Sequence, residues 1–183
     1  CKLDADKTAV VLGCGMEGLL TVAALKTLGI NKIIVIDKES EKSRAMEFGA
    51  WEFIGSHGKN GVAGVKDKIR AAAGDMADAV FICTDSPMGR NVARRFMKNS
   101  GSICEMGFLC GWRRTPTARY FEDSMPAGGR FYAARDYENC MNFLAKAAEM
   151  KLPLYKLITH RYKLEEINEA MWTVVREEGL GIA

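Results

Sequence analysis

The feature that most constrains this chain is a glycine-rich turn between an apolar strand and a helix. Residues Thr8–Leu12 are apolar or β-branched without alternation, which is typical of a strand covered on both faces by helices. The sequence GCGMEG follows at residues 13–18, and apolar residues then recur at helical spacing up to Leu28. A strand, a GxGxxG turn and a helix in this order are typical of the first unit of a dinucleotide-binding sheet.

Strand and helix signals continue to alternate along the chain. The predicted strands are 8–12, 32–36, 51–54, 79–83, 102–106, 130–133 and 156–160, and the predicted helices are 15–28, 40–48, 65–73, 87–98, 136–150 and 164–177. Glycine and proline content predicts a loop over 56–64 and an irregular connection over 107–129. Because such crossovers are right-handed, we predict an α/β fold with a doubly wound parallel sheet, the Rossmann NAD(P)-binding fold. Pro153 is the predicted seam between a Rossmann domain, 1–152, and a C-terminal segment, 153–183.

Each glycine of the turn has its own expected role. Gly13 permits the tight turn, Gly15 lets the backbone approach a pyrophosphate, and Gly18 lets the helix pack closely against the strand. The helix N-terminus offers N–H groups and a positive dipole end, so the amides of Met16 and Glu17 are the expected phosphate donors. A glycine-rich turn without function is the alternative, and the flanking strand and helix argue against it.

Asp37 ends the predicted second strand. A carboxylate at this place accepts both hydroxyls of an adenosine ribose and repels a 2′-phosphate, so NAD is favoured over NADP. Lys38 and Lys42 weaken this preference for NAD, because a site with a neighbouring positive charge can tolerate the 2′-phosphate of NADP. A solvated aspartate at a strand end is the alternative to a binding role.

The ends of two further strands are expected to border the same ligand. In a doubly wound sheet the ligand lies across the carboxyl ends of the strands, where the strand order reverses. The predicted fourth strand ends at Cys83 and Thr84, and the fifth at Met106, Gly107 and Phe108. We expect backbone groups of these segments near the nicotinamide end of a dinucleotide.

Composition excludes several classes of protein. The chain has 183 residues, 48% of them hydrophobic and 27% charged, with a net charge of +3, which excludes a disordered or collagen-like chain. No uncharged apolar stretch reaches the roughly 18 residues of a membrane span, and the small, dispersed basic excess argues against nucleic-acid binding. The cysteines show neither paired nor CxxC spacing, which predicts a reducing, cytoplasmic location. The start at Cys1 is interpreted as an internal cut or a processed end.

Candidates for catalysis and metal binding are few. The histidines are His57 and His160, and neither has a cysteine, glutamate or second histidine at ligand spacing. The GxSxG and HExxH motifs of hydrolases do not occur. We therefore predict no catalytic residue and no metal ligand within this chain.

A family resemblance is found in five segments of the chain, which are residues 10–20, 33–37, 46–50, 157–160 and 164–170. They resemble the coenzyme domain of the zinc-dependent medium-chain alcohol and polyol dehydrogenases, and the resemblance covers nearly the whole chain. It implies hydride transfer between NAD(P) and a small alcohol, polyol or amino-alcohol, with a zinc ion polarising the substrate oxygen. It also implies a homo-oligomer joined through the sheet edge near residues 129–133.

The resemblance also implies roles for individual residues. The implied cofactor contacts are Gly13, Gly15, Met16 and Glu17 at the pyrophosphate, Asp37, Lys38 and Lys42 at the adenosine ribose, Cys83 and Thr84 at the adenine, and Met106, Gly107 and Phe108 at the nicotinamide. The family's catalytic domain and its zinc ligands would precede Cys1. This chain alone is therefore expected to bind the cofactor without catalysis. Residues 179–183 are expected to lack the family's closing strand.

Two other classes share the glycine turn. A non-catalytic nucleotide-sensing Rossmann module would carry the turn and Asp37, but has no reason to carry residues 157–170 in their present form. A methyltransferase that uses S-adenosylmethionine commonly has an acidic residue before the turn, and Thr8–Leu12 has none. Protection against heat by NADH or by S-adenosylmethionine would discriminate between these classes.

Overall fold

The computed structural model of the chain describes residues 3–56, 61–84, 92–106, 134–176 and 181–182. The predicted start of a helix at Pro87, the irregular connection over 107–129, and the strand and dimer edge near 129–133 lie outside these ranges. The chain divides into two compact units, Cys1–Leu152 and Pro153–Ala183.

The first unit is built on a five-stranded parallel sheet. Its strands are β1 (Thr8–Leu12), β2 (Lys32–Asp37), β3 (Glu52–Gly55), β4 (Ala77–Ile82) and β5 (Met97–Glu105). Its helices are α1 (Met16–Thr27), α2 (Lys42–Glu47), α3 (Gly61–Ala73) and α4 (Ala134–Glu149), with 3-10 turns at Glu39–Glu41 and Arg94–Phe96. The sheet order is β3-β2-β1-β4-β5, with every pair parallel. The predicted doubly wound sheet is confirmed, and its order reverses between β1 and β4.

The core lies on both faces of this sheet. Val10 of β1 stands in register with Ile34 of β2 and Val80 of β4, and all three are fully buried. On their face Val65 and Ile69 of α3 complete one apolar cluster, and α1 packs against β1, β2 and β4. Coverage on both faces explains why these strands are unbroken apolar runs. Because β1 pairs in parallel with β2 and β4, the carboxyl ends of all three lie along one edge of the sheet.

Two predicted boundaries in this unit are wrong. Residues 61–64, predicted as a loop, form the first turn of α3, because Val62 packs against the same core as Val65 and Ile69. Residues 97–98, predicted as the end of a helix, begin β5 instead. Met97 is buried and pairs with Ala77 ahead of a register shift, so its apolar side chain belongs to the sheet and its core.

The second unit is small. It contains a 3-10 turn at Leu154–Leu157, β6 (Ile158–His160), a 3-10 turn at Leu164–Glu166, α5 (Ile167–Val175) and β7 (Gly181–Ile182). Strands β6 and β7 pair in parallel, so the expectation that residues 179–183 lack a closing strand is wrong. The Tyr162 and Thr173 hydroxyl oxygens lie 2.7 Å apart and join the segment after β6 to α5. Over the ranges given above, no helix is long and apolar enough to cross a membrane.

Candidate dinucleotide site

The glycine turn connects the carboxyl end of β1 to the N-terminus of α1, and two of its glycines are required by the fold. Gly13 has φ +99°, in the left-handed region that favours glycine, and a Cβ there would lie 2.5 Å from the carbonyl oxygen of Cys83. A Cβ on Gly18 would collide with the carbonyl oxygen of Gly13. The turn can therefore close against β4 only when both positions lack a side chain.

Gly15 differs from the other two glycines. Its φ of −69° is open to any residue, and a Cβ added to it would meet no heavy atom of the described structure within 4 Å beyond its chain neighbours. The fold therefore does not require glycine at this position. Open space in front of an exposed backbone fits the close approach of a bound group such as a pyrophosphate.

Helix α1 begins immediately behind this open space. Met16 and Glu17 are its first residues and are exposed, and the Leu19 N–H donates to the Gly15 carbonyl at 2.9 Å to close the first turn. The N–H groups of a first turn have no partner within the helix and carry the positive end of its dipole. This end of α1 suits an anion.

Asp37 contacts the glycine turn directly. Its Oδ2 accepts the Cys14 N–H at 2.6 Å, and its Oδ1 accepts the Lys38 N–H at 2.6 Å. The Gly13 N–H donates to the Ile36 carbonyl at 3.0 Å, which continues the pairing of β1 with β2. A carboxylate has about four acceptor positions, so both oxygens of Asp37 can still accept hydroxyl groups.

The lysines beside Asp37 are exposed. The Lys42 ammonium lies 3.8 Å from a carboxylate oxygen of Glu39, in a pair that is open to solvent on both sides. Lys38 follows the strand end and is joined to Asp37 through its backbone N–H. Exposed pairs of this kind are weak, so solvent can separate Lys42 from Glu39.

The end of β4 also lies against the turn. The Cys83 N–H donates to the Leu12 carbonyl at 2.8 Å, and the Thr84 Cβ would lie 3.2 Å from a Cβ on Gly13. The Cys83 sulfur is buried 3.5 Å from the Thr21 hydroxyl of α1, so its side chain packs against α1 and its backbone borders the turn.

The end of β5 lies beside that of β4. The Met106 N–H donates to the Ile82 carbonyl at 2.9 Å, and the Met106 side chain is 48% exposed. Gly107 and Phe108, the other two residues predicted at the nicotinamide, lie outside the described residues. Of the predicted contacts, the structure gathers Gly13, Gly15, Gly18, Asp37, Cys83 and Thr84 around one turn.

The sequence matches a family model described as zinc-binding dehydrogenase over residues 18–146, which is more than half of the chain. The chain belongs to the zinc-binding dehydrogenase family. This match begins at Gly18, so the geometry of the turn at residues 13–17 is an observation independent of it.

The chain is similar to a sorbitol dehydrogenase and to two solved structures. Sorbitol dehydrogenase 1 of Saccharomyces cerevisiae is 29% identical over 166 residues, which cover 88% of this chain and 46% of the yeast protein. An alcohol dehydrogenase of Thermotoga maritima matches with a TM-score of 0.85 at 22% identity, over 97% of this chain and 49% of that one. A short chain alcohol dehydrogenase of Escherichia coli CFT073, in complex with cofactor NADH, matches with a TM-score of 0.72 at 20% identity. This match covers 97% of this chain and 51% of that one.

The two structural matches agree with the Rossmann-type fold. The chain spans about half the length of the curated relatives it matches.

The end of β3 also lies beside Asp37, although the sequence did not predict a contact there. Asp37 stands in register with Gly55, and the Ser56 N–H donates to the Asp37 carbonyl at 2.7 Å. A Cβ on Gly55 would lie 2.6 Å from a carboxylate oxygen of Glu39. The signal that could have indicated this contact is the strand order, since a sheet that begins β3-β2-β1 places the residues after β3 beside Asp37.

The family name implies a metal ion, which needs several convergent ligands. Within the described ranges, no group of three or more His, Cys, Asp or Glu side chains could hold a metal ion. The His160 ring nitrogen Nδ1 lies 2.9 Å from the Thr159 hydroxyl, and the ring stacks on Tyr162. The described residues of this chain do not fit a zinc site.

Two thiols are buried at the turn, Cys14 and Cys83. Burial, and then the negative charges of Asp37 and Glu41, raise the pKa of Cys14 to about 12. Burial raises the pKa of Cys83 to about 11, although the hydrogen bond with Thr21 opposes the shift. Both thiols are protonated near neutral pH and are poor nucleophiles there.

We expect iodoacetamide to leave Cys14 and Cys83 unmodified in the native chain while it alkylates the exposed Cys140. Peptide mass spectrometry after mildly alkaline treatment measures the three sites separately. The same treatment in urea is the control, and there all three should react. Alkylation of native Cys14 as fast as Cys140 would show that the turn is open to solvent.

Proposed function

We propose that this chain is the NAD(H)-binding half of an oxidoreductase that transfers a hydride between NAD and an alcohol, polyol or amino-alcohol. The observation that carries the proposal is the open space at Gly15, in front of the N-terminus of α1 and beside the Asp37 carboxylate. The relationship to yeast sorbitol dehydrogenase 1 and the fold shared with an NADH-bound relative support it.

The pyrophosphate would lie against Gly15, with the Met16 and Glu17 N–H groups as donors. Here the positive dipole end of α1 favours a negative charge. Gly13 and Gly18 act indirectly, since they let the turn close against β4 and α1. The bound dinucleotide supplies the nicotinamide ring that exchanges the hydride.

The adenosine ribose would lie at Asp37. The Cys14 and Lys38 N–H groups fix the carboxylate, and its remaining acceptor positions suit the two ribose hydroxyls. Its negative charge repels a 2′-phosphate. We therefore propose NAD as the preferred cofactor, with the adenine toward Cys83 and Thr84 and the nicotinamide toward Met106, Gly107 and Phe108.

Asp37→Ala should weaken NADH binding about tenfold or more and shift the preference toward NADPH, because it removes a charged acceptor and a repulsive charge. Calorimetric titration with each cofactor measures the shift. Asp37→Asn is the matched control, since it keeps an oxygen for the Cys14 N–H while it removes the charge. If both variants fold and keep the wild-type preference between NADH and NADPH, Asp37 does not bind the ribose.

Catalysis is proposed to require residues outside this chain. This is supported by the coverage of the relatives, since the chain spans about half of their length. The chain alone should therefore bind NADH and yet form none from sorbitol or ethanol when zinc and NAD are supplied. Zinc-dependent alcohol oxidation by this chain alone would contradict the assignment of its residues.

The remaining expectations form part of the same proposal. The proposed substrate is a small alcohol, and the protein is proposed to be a homo-oligomer. Nucleic acids and membranes are not proposed as partners. The cysteines of the chain show neither paired nor CxxC spacing, which supports a reducing, cytoplasmic compartment. The family match disfavours the nucleotide-sensing module and the methyltransferase considered above.

A further inference from the structure

A second cavity, of about 610 Å³, lies where β4 and β5 begin, at the opposite edge of the sheet from the glycine turn. It is lined by Lys66 and Arg70 of α3, by Asp75 and Met76 just before β4, and by residues 94, 95 and 97–100. It is open to solvent, since Arg70, Arg95, Asn99 and Ser100 of its lining are exposed. Nothing in the proposed cofactor site uses it.

The lining of this basic cleft is strongly cationic. Lys66, Arg70, Arg94, Arg95 and Lys98 line it together with a single carboxylate, that of Asp75. Asn99 and Ser100 add polar side chains. Positive charge gathered in a concave surface attracts anions, and the attraction increases as the cleft excludes water.

One of these cations is already neutralised. The Lys98 ammonium lies 2.9 Å from a carboxylate oxygen of Asp78 and 3.8 Å from one of Asp75. The other oxygen of Asp78 accepts the Thr8 N–H at 2.9 Å, so Lys98 anchors the start of the sheet. Within the described ranges Arg70, Arg94 and Arg95 have no carboxylate partner, and the cleft keeps an excess of positive charge.

Arg94 lines the cleft together with Arg70 and Arg95. The Arg94 Nη1 is buried and out of reach of solvent, so a ligand in the cleft would meet the other donors of these three guanidinium groups. A guanidinium has five N–H donors, so each of these side chains can bind an anion through the donors that face the cleft.

We propose that the basic cleft binds a phosphate monoester, whose phosphate oxygens accept hydrogen bonds from Arg94 and its neighbouring arginines. A guanidinium presents a planar fork of donors that matches phosphate geometry. The cavity is larger than a phosphate ion, so it leaves room for the organic part of the ligand. This site is separate from Gly15 and does not depend on the proposed function.

The test uses the full chain carrying Gly15→Val, so that the glycine turn cannot take the phosphate. Inorganic phosphate and glycerol 3-phosphate are titrated calorimetrically at constant ionic strength, because salt screens exposed charges. Both should bind saturably, and glycerol 3-phosphate should bind more tightly. Arg94→Gln should weaken both by about tenfold or more, since it removes a charge-assisted hydrogen bond.

Lys32→Gln is the matched control, because it removes one positive charge from an exposed residue at the start of β2 that does not line the cleft. It should leave binding unchanged. Arg70→Gln, an exposed lining residue, replaces Arg94→Gln if that variant does not fold. Absence of saturable binding, equal losses in Lys32→Gln and the cleft variant, or tighter binding of an oligonucleotide than of either probe would each overturn the proposal.

Discussion

Gly15→Val is expected to abolish NADH binding while the chain stays folded. A Cβ at this position would meet no described heavy atom within 4 Å beyond its chain neighbours, and the φ of −69° accepts a valine. The pyrophosphate would lose its approach to the backbone and at least one charge-assisted hydrogen bond, so affinity should fall about a hundredfold or more. Calorimetry measures the loss, and circular dichroism measures the melting temperature.

The size of the side chain provides the control. Gly15→Ala adds one methyl group to the same space and should reduce NADH affinity less than valine does. Full NADH affinity in a folded Gly15→Val chain would refute the placement of the pyrophosphate.

Gly18→Ala is expected to destabilise the chain by about 3 kcal/mol or more, the upper part of the range for overpacking. Its methyl group would collide with the Gly13 carbonyl oxygen, which is backbone and cannot rotate away as a side chain does. The Gly13 N–H is held by the Ile36 carbonyl at 3.0 Å, so the turn cannot move without loss of a sheet hydrogen bond. Urea unfolding followed by circular dichroism measures the change.

Gly15→Ala is the matched control here as well, because it adds the same methyl group to the same turn where space is open. It should cost less than about 1 kcal/mol, the typical loss for alanine at a helix N-cap. Equal stabilities for the two alanine variants would mean that α1 does not pack against the turn as closely as the structure indicates.

The sequence predicted the centre of the sheet because burial on both faces leaves an unmistakable pattern. Thr8–Leu12 and the apolar residues of β2 and β4 are unbroken runs, and the glycine turn determines the chain path after β1. The sequence did not predict the first turn of α3, because the glycines of that turn are typical of a loop. It did not predict the start of β5, because the two neighbouring apolar residues there fit a helix or a strand equally well.

The contacts within the site were less accessible to sequence reasoning. The Asp37 carboxylate accepts the Cys14 N–H, and Ser56 contacts Asp37. Both contacts depend on how the ends of β1, β2 and β3 meet in space. The basic cleft shows the same limit, since its cations come from residues 66 to 98 and are dispersed along the chain. Only the packing of α3 beside β4 and β5 gathers them.

Titration of the unmodified chain with NADH, and separately with NADPH at the same ionic strength, tests the central claim most directly. The geometry at Gly15 and Asp37 predicts saturable NADH binding and much weaker binding of NADPH. A folded chain that binds neither cofactor would contradict the claim that residues 13–18 and Asp37 form a dinucleotide site.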